Sequence, residues 1–193
     1  MTGRTTAHPT DPLFLARWSP RAFDGAPMPE TDLLTMIDAA RWAPSAFNYQ
    51  PWRFLYALQG GADWHDFLAL LNPFNQRWAA RASALVVIVS DTLMQQNEAA
   101  TVSHSHSFDT GAAWAQFALQ ATRLGYQAHG MTGIDFDRTR DTLGIPEHFR
   151  IEAAAAVGRI GDAATLPEGL RAREMPSDRK PLAEIAVSGR FRG

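Results

Sequence analysis

The residue types able to do chemistry in this chain collect in two short segments. The first, Arg17-Trp18-Ser19-Pro20-Arg21, sets two guanidinium groups and a hydroxyl at alternate positions. Pro20 biases Ser19 toward extended backbone, and residues two apart in an extended chain point the same way. Arg17, Ser19 and Arg21 then share one side. Guanidinium groups offer rigid, forked donors for phosphate oxygens, and a neighbouring hydroxyl suits a polyol. The alternative is an exposed basic turn. The second segment, Ala43-Pro44-Ser45-Ala46-Phe47-Asn48-Tyr49-Gln50-Pro51-Trp52-Arg53-Phe54, combines small residues, two prolines, an Asn and a Gln. Such a loop exposes backbone amides and lets a flat aromatic ligand approach. Its alternative is a helix-stop turn in which Asn48 and Gln50 bond local backbone.

Histidine offers less. His104 and His106 in Ser-His-Ser-His-Ser sit two apart, a spacing that lets imidazoles share one face of a strand, but no acidic residue or third histidine lies close by in sequence to complete a metal site. An exposed polar loop is the expectation there, and no metal. His129, before Gly130, reads as structural or pocket-lining. The chain has no G-x-G of any kind, no Walker A loop, no H-E-x-x-H and no G-x-S-x-G. An NTPase, a zincin, a serine hydrolase and a Rossmann dehydrogenase are not indicated.

The elements that must position these residues are legible from period and punctuation. Thr31–Trp42 places Leu33, Ile37 and Ala40 on one helical face and stops at Pro44. Arg53–Leu58 reads as a strand, followed by helices around Trp64–Leu71 and Asn75–Ser83. Leu85–Ser90 is apolar and β-branched, as a strand covered on both faces must be. Residues 91–108 carry no period. Asp109 opens the longest helix, with Trp114, Phe117, Ala118, Ala121 and Leu124 on one face and Gly125 as its stop. Tyr126–Met131 reads as a short strand or turn, Asp137–Leu143 as a helix, and Ile151–Ile160 as a small-residue strand. Residues 1–10 are a loose lead-in and 162–193 an arm with little core of its own. We expect a single domain over 1–193, with helices flanking a central sheet.

Composition agrees and narrows the class. The 193 residues are 46% hydrophobic and 20% charged, as in globular enzymes. Eighteen Lys and Arg against 20 Asp and Glu leave a net charge of −2, so no global basic field recruits nucleic acid or an anionic membrane. With no Cys there is no disulfide, thiol nucleophile or iron–sulfur cluster. No apolar run is long enough to span a membrane, and the first residues lack a secretory apolar core. The expected location is the cytoplasm.

Taken together, Arg-x-Ser-x-Arg, a proline-led helix and Ala-Pro-Ser-x-x-Asn-x-Gln-Pro-Trp-x-Phe resemble the FMN-dependent nitroreductase-like family. The likeness continues through Phe74-Asn75-Gln76-Arg77, the helix from Asp109 to Gly125, Leu143-Gly-Ile-Pro146, Ala156-Val-Gly-Arg-Ile-Gly161 and Arg179-Lys-Pro-Leu182. It covers nearly the whole chain in order.

The resemblance implies an α+β nitroreductase-like fold with a mainly antiparallel central sheet, in an intertwined homodimer whose FMN clefts are built by both subunits. Trp114 and Phe117 then become candidates for central packing near the interface. It implies that Arg17 meets the FMN phosphate, Ser19 the ribityl chain or ring edge, and Arg21 the N1/C2=O edge, where a cation stabilises the anionic reduced flavin. Asn75 would bond the pyrimidine end, Thr132 and Gly133 would pass the ring face near N5, and Arg179 would return to the phosphate. Pro44, Ser45, Ala46 and Asn48 would come from the other subunit. The implied reaction is ping-pong: NADH or NADPH reduces the flavin, and a nitroaromatic, quinone or related small acceptor then takes its place. No catalytic side chain is required. The chain departs from the family at Ala46, where many relatives have Ser or Cys, and at Trp78, where several place a Lys against the flavin. Trp78 then either narrows the pocket or is a core residue of its helix. Other functions compatible with the resemblance are a flavin-storing module and an offshoot with another flavin redox task.

Overall fold

Leu85-Val-Val-Ile-Val89 presents apolar side chains to both faces of any sheet it joins, so helices must cover both. That requirement organises the computed structural model, which describes residues 4–96 and 99–191. In chain order the elements are α1 (Pro12–Ala16), α2 (Glu30–Arg41), β1 (Trp52–Leu58), α3 (Trp64–Leu70), α4 (Pro73–Ala79), β2 (Ala84–Asp91), β3 (Leu93–Gln96), β4 (Ala99–Val102), α5 (His106–Arg123), β5 (Gln127–Met131), α6 (Phe136–Leu143), β6 (Phe149–Gly158), α7 (Glu168–Arg171) and α8 (Leu182–Ile185). A 3-10 turn at Ala46–Asn48 joins α2 to β1.

The main sheet has the order β1-β2-β6-β5, with every neighbouring pair antiparallel. On one face Leu85, Val87 and Val89 pack with Phe67, Leu70 and Trp78 of α3 and α4. On the other, Val86 and Ile88 pack with Leu33 and Met36 of α2 and Phe117 and Ala121 of α5. Four consecutive alanines, Ala153–Ala156, keep β6 thin, so both helical layers approach the sheet closely. The expected α+β layering, with an antiparallel sheet, is what the chain adopts.

Several boundaries move for local reasons. α4 begins early because Asn72 caps it, its Oδ1 accepting the Asn75 N–H at 2.8 Å, and because Pro73 fits the first turn. It ends before Ser83, whose N–H is already committed to the Val157 carbonyl at 2.8 Å. In α2 the buried positions are Leu33, Met36 and Ala40, and Ile37 is only half-buried. The stretch expected to lack regular structure forms the hairpin β3–β4, with Leu93 opposite Val102. Strands of four residues are too short to show a period. The expected exposed loop at residues 101–107 is also corrected, because His106 and Ser107 are half-buried in the first turn of α5 while His104 stays exposed. Phe117 is sealed inside the chain, stacked between Phe54 and Trp114. Residues 1–3 of the expected lead-in and 192–193 of the arm lie outside the described residues. The arm anchors Leu166 and Leu170 in the core before running exposed.

Two irregularities bear on function. The β2–β6 register shifts so that Ile88 opposes Ala153 and Val89 opposes Ile151, leaving Glu152 as the extra residue of a β-bulge. The segment after β6 then crosses the chain beyond Arg21: Gly161 N–H donates to the Ala22 carbonyl at 2.8 Å and Asp24 N–H to the Arg159 carbonyl at 3.1 Å. A Cβ at Gly161 would sit 2.5 Å from the carbonyl carbon and oxygen of Phe23. Backbone must therefore yield to any side chain there. Gly161→Ala is expected to cost about 1–3 kcal/mol and lower Tm by roughly 2–12 °C, measured by calorimetric melting. Gly169→Ala, whose Cβ meets nothing within 4 Å, is the control and should leave Tm within a degree or so.

Candidate functional site

The Arg17–Arg21 segment is fastened by its backbone, which frees its side chains. Trp18 N–H donates to Gln127 Oε1 at 3.2 Å, and Gln127 Nε2 returns a bond to the Ala16 carbonyl. Glu174, from the arm, accepts the N–H groups of Arg21 and Ala22 at 2.6 and 2.8 Å. Arg17 is extended, and its Nη1 reaches Ser19 Oγ at 3.4 Å, so these two residues do share a side.

Two adjoining clefts open from this segment. One, of about 620 Å³, is lined by Arg21, Asn75, Thr132 and Gly133 together with Thr110, Trp114 and His129. The other, of about 360 Å³, is lined by Arg17 and Ser19 with Trp114, Ala118 and Gly130. Trp114 and Gly130 are common walls, so the two clefts form one track. Asn75 is held by its own side chain, Nδ2 donating to the Gly133 carbonyl at 3.2 Å. Gly133 is where backbone approaches most closely, since a Cβ there would stand 2.4 Å from the amide nitrogens of Asn72 and Asn75.

Beside Arg17 a further cavity, of about 700 Å³, is lined by Arg4, Arg179 and Lys180 with one carboxylate, Asp178. Arg4 is clamped by the Leu15, Arg17 and Ser177 carbonyls, with its Nη2 buried and unpartnered. Burial, then the like charges of Arg179 and Arg4, push the Arg17 guanidinium below its ordinary pKa. Arg4 is lowered by burial and by Arg179, with Asp178 acting in the opposite sense. Among the described residues none of these three arginines forms an ion pair. A cluster of like charges at an open cleft is a site for an anion.

At the other end the positive charge is single. Arg21 has a buried, unpartnered Nε, and its guanidinium lies 6.0 Å from the Trp78 ring. Trp78 is 2% exposed and belongs to the core, against Phe23 and His129, so it does not narrow the cleft. The core reading of Trp78 holds because Pro73 and Asn72 start α4 early and turn this face inward. His129 is buried beneath Arg21, and its Nδ1 donates to the Pro20 carbonyl at 2.9 Å, since a carbonyl can only accept. Burial, ahead of every other cause, lowers its pKa, and the Arg21 charge adds to this. His129 is thus neutral, both structural and pocket-lining. Thr110 Oγ1 is a further buried polar atom without a partner in the cleft wall.

The loop Pro44–Asn48 does not join this track. Ser45 Oγ accepts the Gln50 N–H at 3.0 Å, and Asp109 Oδ2 accepts the Ala46 N–H at 3.1 Å. That places the loop at the first turn of α5, whereas Arg17 and Ser19 lie against Ala115 and Ala118, on the order of 10 Å further along that helix. Phe47, Asn48 and Gln50 all have positive φ, of 52°, 55° and 56°, conformations that non-glycine residues hold only under constraint. Phe47 is 83% exposed, and Trp42, at the end of α2, is 74% exposed. Sequence reasoning missed Arg4, within the segment read as loose, and Ser107 and Glu152, which line the larger cleft. An isolated Arg near a terminus carries no local signal, and a bulge has none either.

Comparison with known proteins agrees with this geometry. The model of the Nitroreductase family matches residues 15–63 and 58–159. A crystal structure of an oxidoreductase containing FMN is 52% identical, covers all of this chain and 98% of its own, and superposes with a TM-score of 0.97. The uncharacterized 15.4 kDa protein in the ask 5′ region of Mycolicibacterium smegmatis is 34% identical over 138 residues, 69% of this chain and 90% of that one. An NADH dehydrogenase of Thermus thermophilus is 29% identical over 200 residues, 90% of this chain and 92% of its own.

The buried, neutral His129 has a consequence for stability. Above the ordinary histidine value of 6.5 native and unfolded chains both carry a neutral ring, and its contribution is complete. As pH falls below that value the unfolded chain takes up a proton that the native one refuses, so stability is lost as pH drops through the lowered folded pKa. His129→Asn keeps a donor toward Pro20 and does not titrate. Its Tm should fall less steeply with acid than that of the wild type in melts below pH 6.5; parallel acid limbs would contradict the assignment.

Proposed function

The chain belongs to the nitroreductase family, and on that premise we propose that it is an FMN-dependent NAD(P)H oxidoreductase whose cofactor occupies the joined clefts. The observation that carries this reading is Arg17, which lines the smaller cleft and feels the like charges of Arg179 and Arg4, two residues that line a neighbouring cavity of about 700 Å³ with Lys180 and Asp178. A dianionic phosphate in the smaller cleft relieves the repulsion that Arg17 feels and supplies acceptors for its guanidinium. Ser19, next along the track, suits the ribityl hydroxyls. Arg21, Asn75, Thr132 and Gly133 line the cleft that the ring would fill.

FMN, when bound, accepts two electrons from NADH or NADPH and passes them to a small electron-poor acceptor such as a quinone or nitroaromatic. The protein holds and tunes it. Arg21 is the only Lys or Arg among the cleft-lining residues, and the neutral His129 beneath adds no second charge. One cation at the ring edge favours the anionic reduced form. Trp78 supports Arg21 from below, at the position where relatives with Lys would place another charge. One open track serves donor and acceptor in turn, which is the ping-pong order.

We further propose a homodimer. None of Pro44, Ser45, Ala46 and Asn48 lines its own chain's two clefts, so they would complete the partner's. Trp42, Phe47 and Phe108, with Leu182, Ile185 and Phe191 of the arm, are large apolar side chains left exposed. Such surface on one chain matches an obligate interface.

Arg17→Ala should weaken FMN by about 2–5 kcal/mol, the cost of removing one partner of a charge-assisted pair, while barely changing riboflavin. Arg4→Ala should act in the same direction and less strongly. Flavin fluorescence titrations measure both, and equal losses for FMN and riboflavin would remove the phosphate assignment.

A further inference from the structure

Ser107 and Glu152 line the same cleft as Arg21 and Asn75, and the function proposed above leaves them idle. Glu152 is the unpaired residue of the β6 bulge, a device that re-aims a side chain and is enriched beside active sites. It is also the wall between this cleft and a charged pocket of about 490 Å³ lined by Asp137, Arg140, Glu147 and Arg150. Glu152 Oε2 faces Arg150 Nε at 3.5 Å. Its Oε1 accepts Ser90 Oγ and Ser107 Oγ, each at 2.6 Å.

His106 completes the group. Its Nδ1 lies 2.7 Å from Ser90 Oγ, 3.3 Å from Ser107 Oγ and 3.6 Å from Glu152 Oε1. Hydrogen accounting fixes its tautomer. Each serine has one hydroxyl hydrogen, and both hydrogens go to the carboxylate, which only accepts. The Ser90–His106 bond therefore needs its hydrogen from Nδ1.

We propose that the His106–Glu152 pair relays a proton for reduction of the acceptor, and that Ser107 is the hydroxyl that hands it into the cleft. This rests on the oxidoreductase reading above. Reduction of a quinone follows quinone + NAD(P)H + H⁺ → hydroquinone + NAD(P)⁺. The nicotinamide supplies both electrons and one hydrogen by way of the cofactor. The remaining proton passes from Ser107 Oγ, whose hydrogen turns from Glu152 to the acceptor oxygen, while Ser107 takes the Nδ1 hydrogen of His106 and solvent supplies one at Nε2. Exchange with solvent at the ring, whose side chain is 15% exposed, restores the starting tautomer. Ser107 is catalytic in this account, with His106 behind it in the relay, and Glu152 and Ser90 position the two.

Two measurements test it. In rapid-mixing kinetics, Ser107→Ala and Glu152→Gln should bind FMN and be reduced by NADPH within about twofold of wild type. Their reoxidation by a quinone should slow at least tenfold, against the ~10²–10⁴ that a positioned proton donor typically contributes. In the flavin-free protein, ¹⁵N NMR should find the His106 hydrogen on Nδ1, with His106→Asn providing the assignment. Wild-type reoxidation in both variants, or a neutral His106 carrying its hydrogen on Nε2 alone, overturns the proposal. Failure of FMN to bind would appear in every form of the protein, wild type included, and would overturn the functional reading and this proposal together.

Discussion

Among the described residues Arg4, Arg17 and Arg179 form no ion pair, and the like charges that act on Arg17 are a standing electrostatic cost. Arg4 is clamped to the carbonyls of Leu15 in α1, of Arg17 at its end and of Ser177 in the arm, which draws the first described residues and the arm to Arg17. Burial strips water from Arg17 and strengthens the repulsion it feels from Arg4 and Arg179. The arrangement makes sense when a multivalent anion completes it. The sheet, the α5 wall and the Gly161 crossing then serve to aim a track away from that anion toward Arg21.

The opposite end of the track follows the complementary rule of keeping charge single. Arg21 is fixed through its backbone by Glu174 and supported by the Trp78 face. His129 touches the same region and is kept neutral by burial, so one fixed cation acts on whatever fills the cleft. Glu152 and Ser107 line the same cleft, with His106 bonded behind them, so the proposed proton relay uses groups other than Arg21.

Much of this was legible from residue types. The β2 strand was readable because a run apolar on both faces admits few other roles, and α5 because its buried stripe repeats over five turns. Arg17 and Ser19 were readable because Pro20 imposes extended backbone. What escaped depends on contacts distant in sequence. Arg4 functions only through Ser177 and Arg17, 173 and 13 residues away. Glu152 is set by a register shift against Ile88 and Val89, and His106 looked like loop because its partners lie on β2 and β6. Trp78 admitted two readings until the capping of α4 fixed which face turns inward.

None of Pro44, Ser45, Ala46 and Asn48 lines either of the two clefts, and Phe47 of that loop is exposed; the proposed dimer assigns the loop to the partner's cleft. The account therefore makes cofactor binding and pairing of chains one event. Sedimentation of the FMN-loaded protein at micromolar concentration, followed both by protein absorbance and by the visible flavin band, tests this most directly. The account predicts flavin moving with a species of twice the chain mass, one FMN per chain. Flavin carried by a monomer, or a dimer that sediments without flavin, would contradict it.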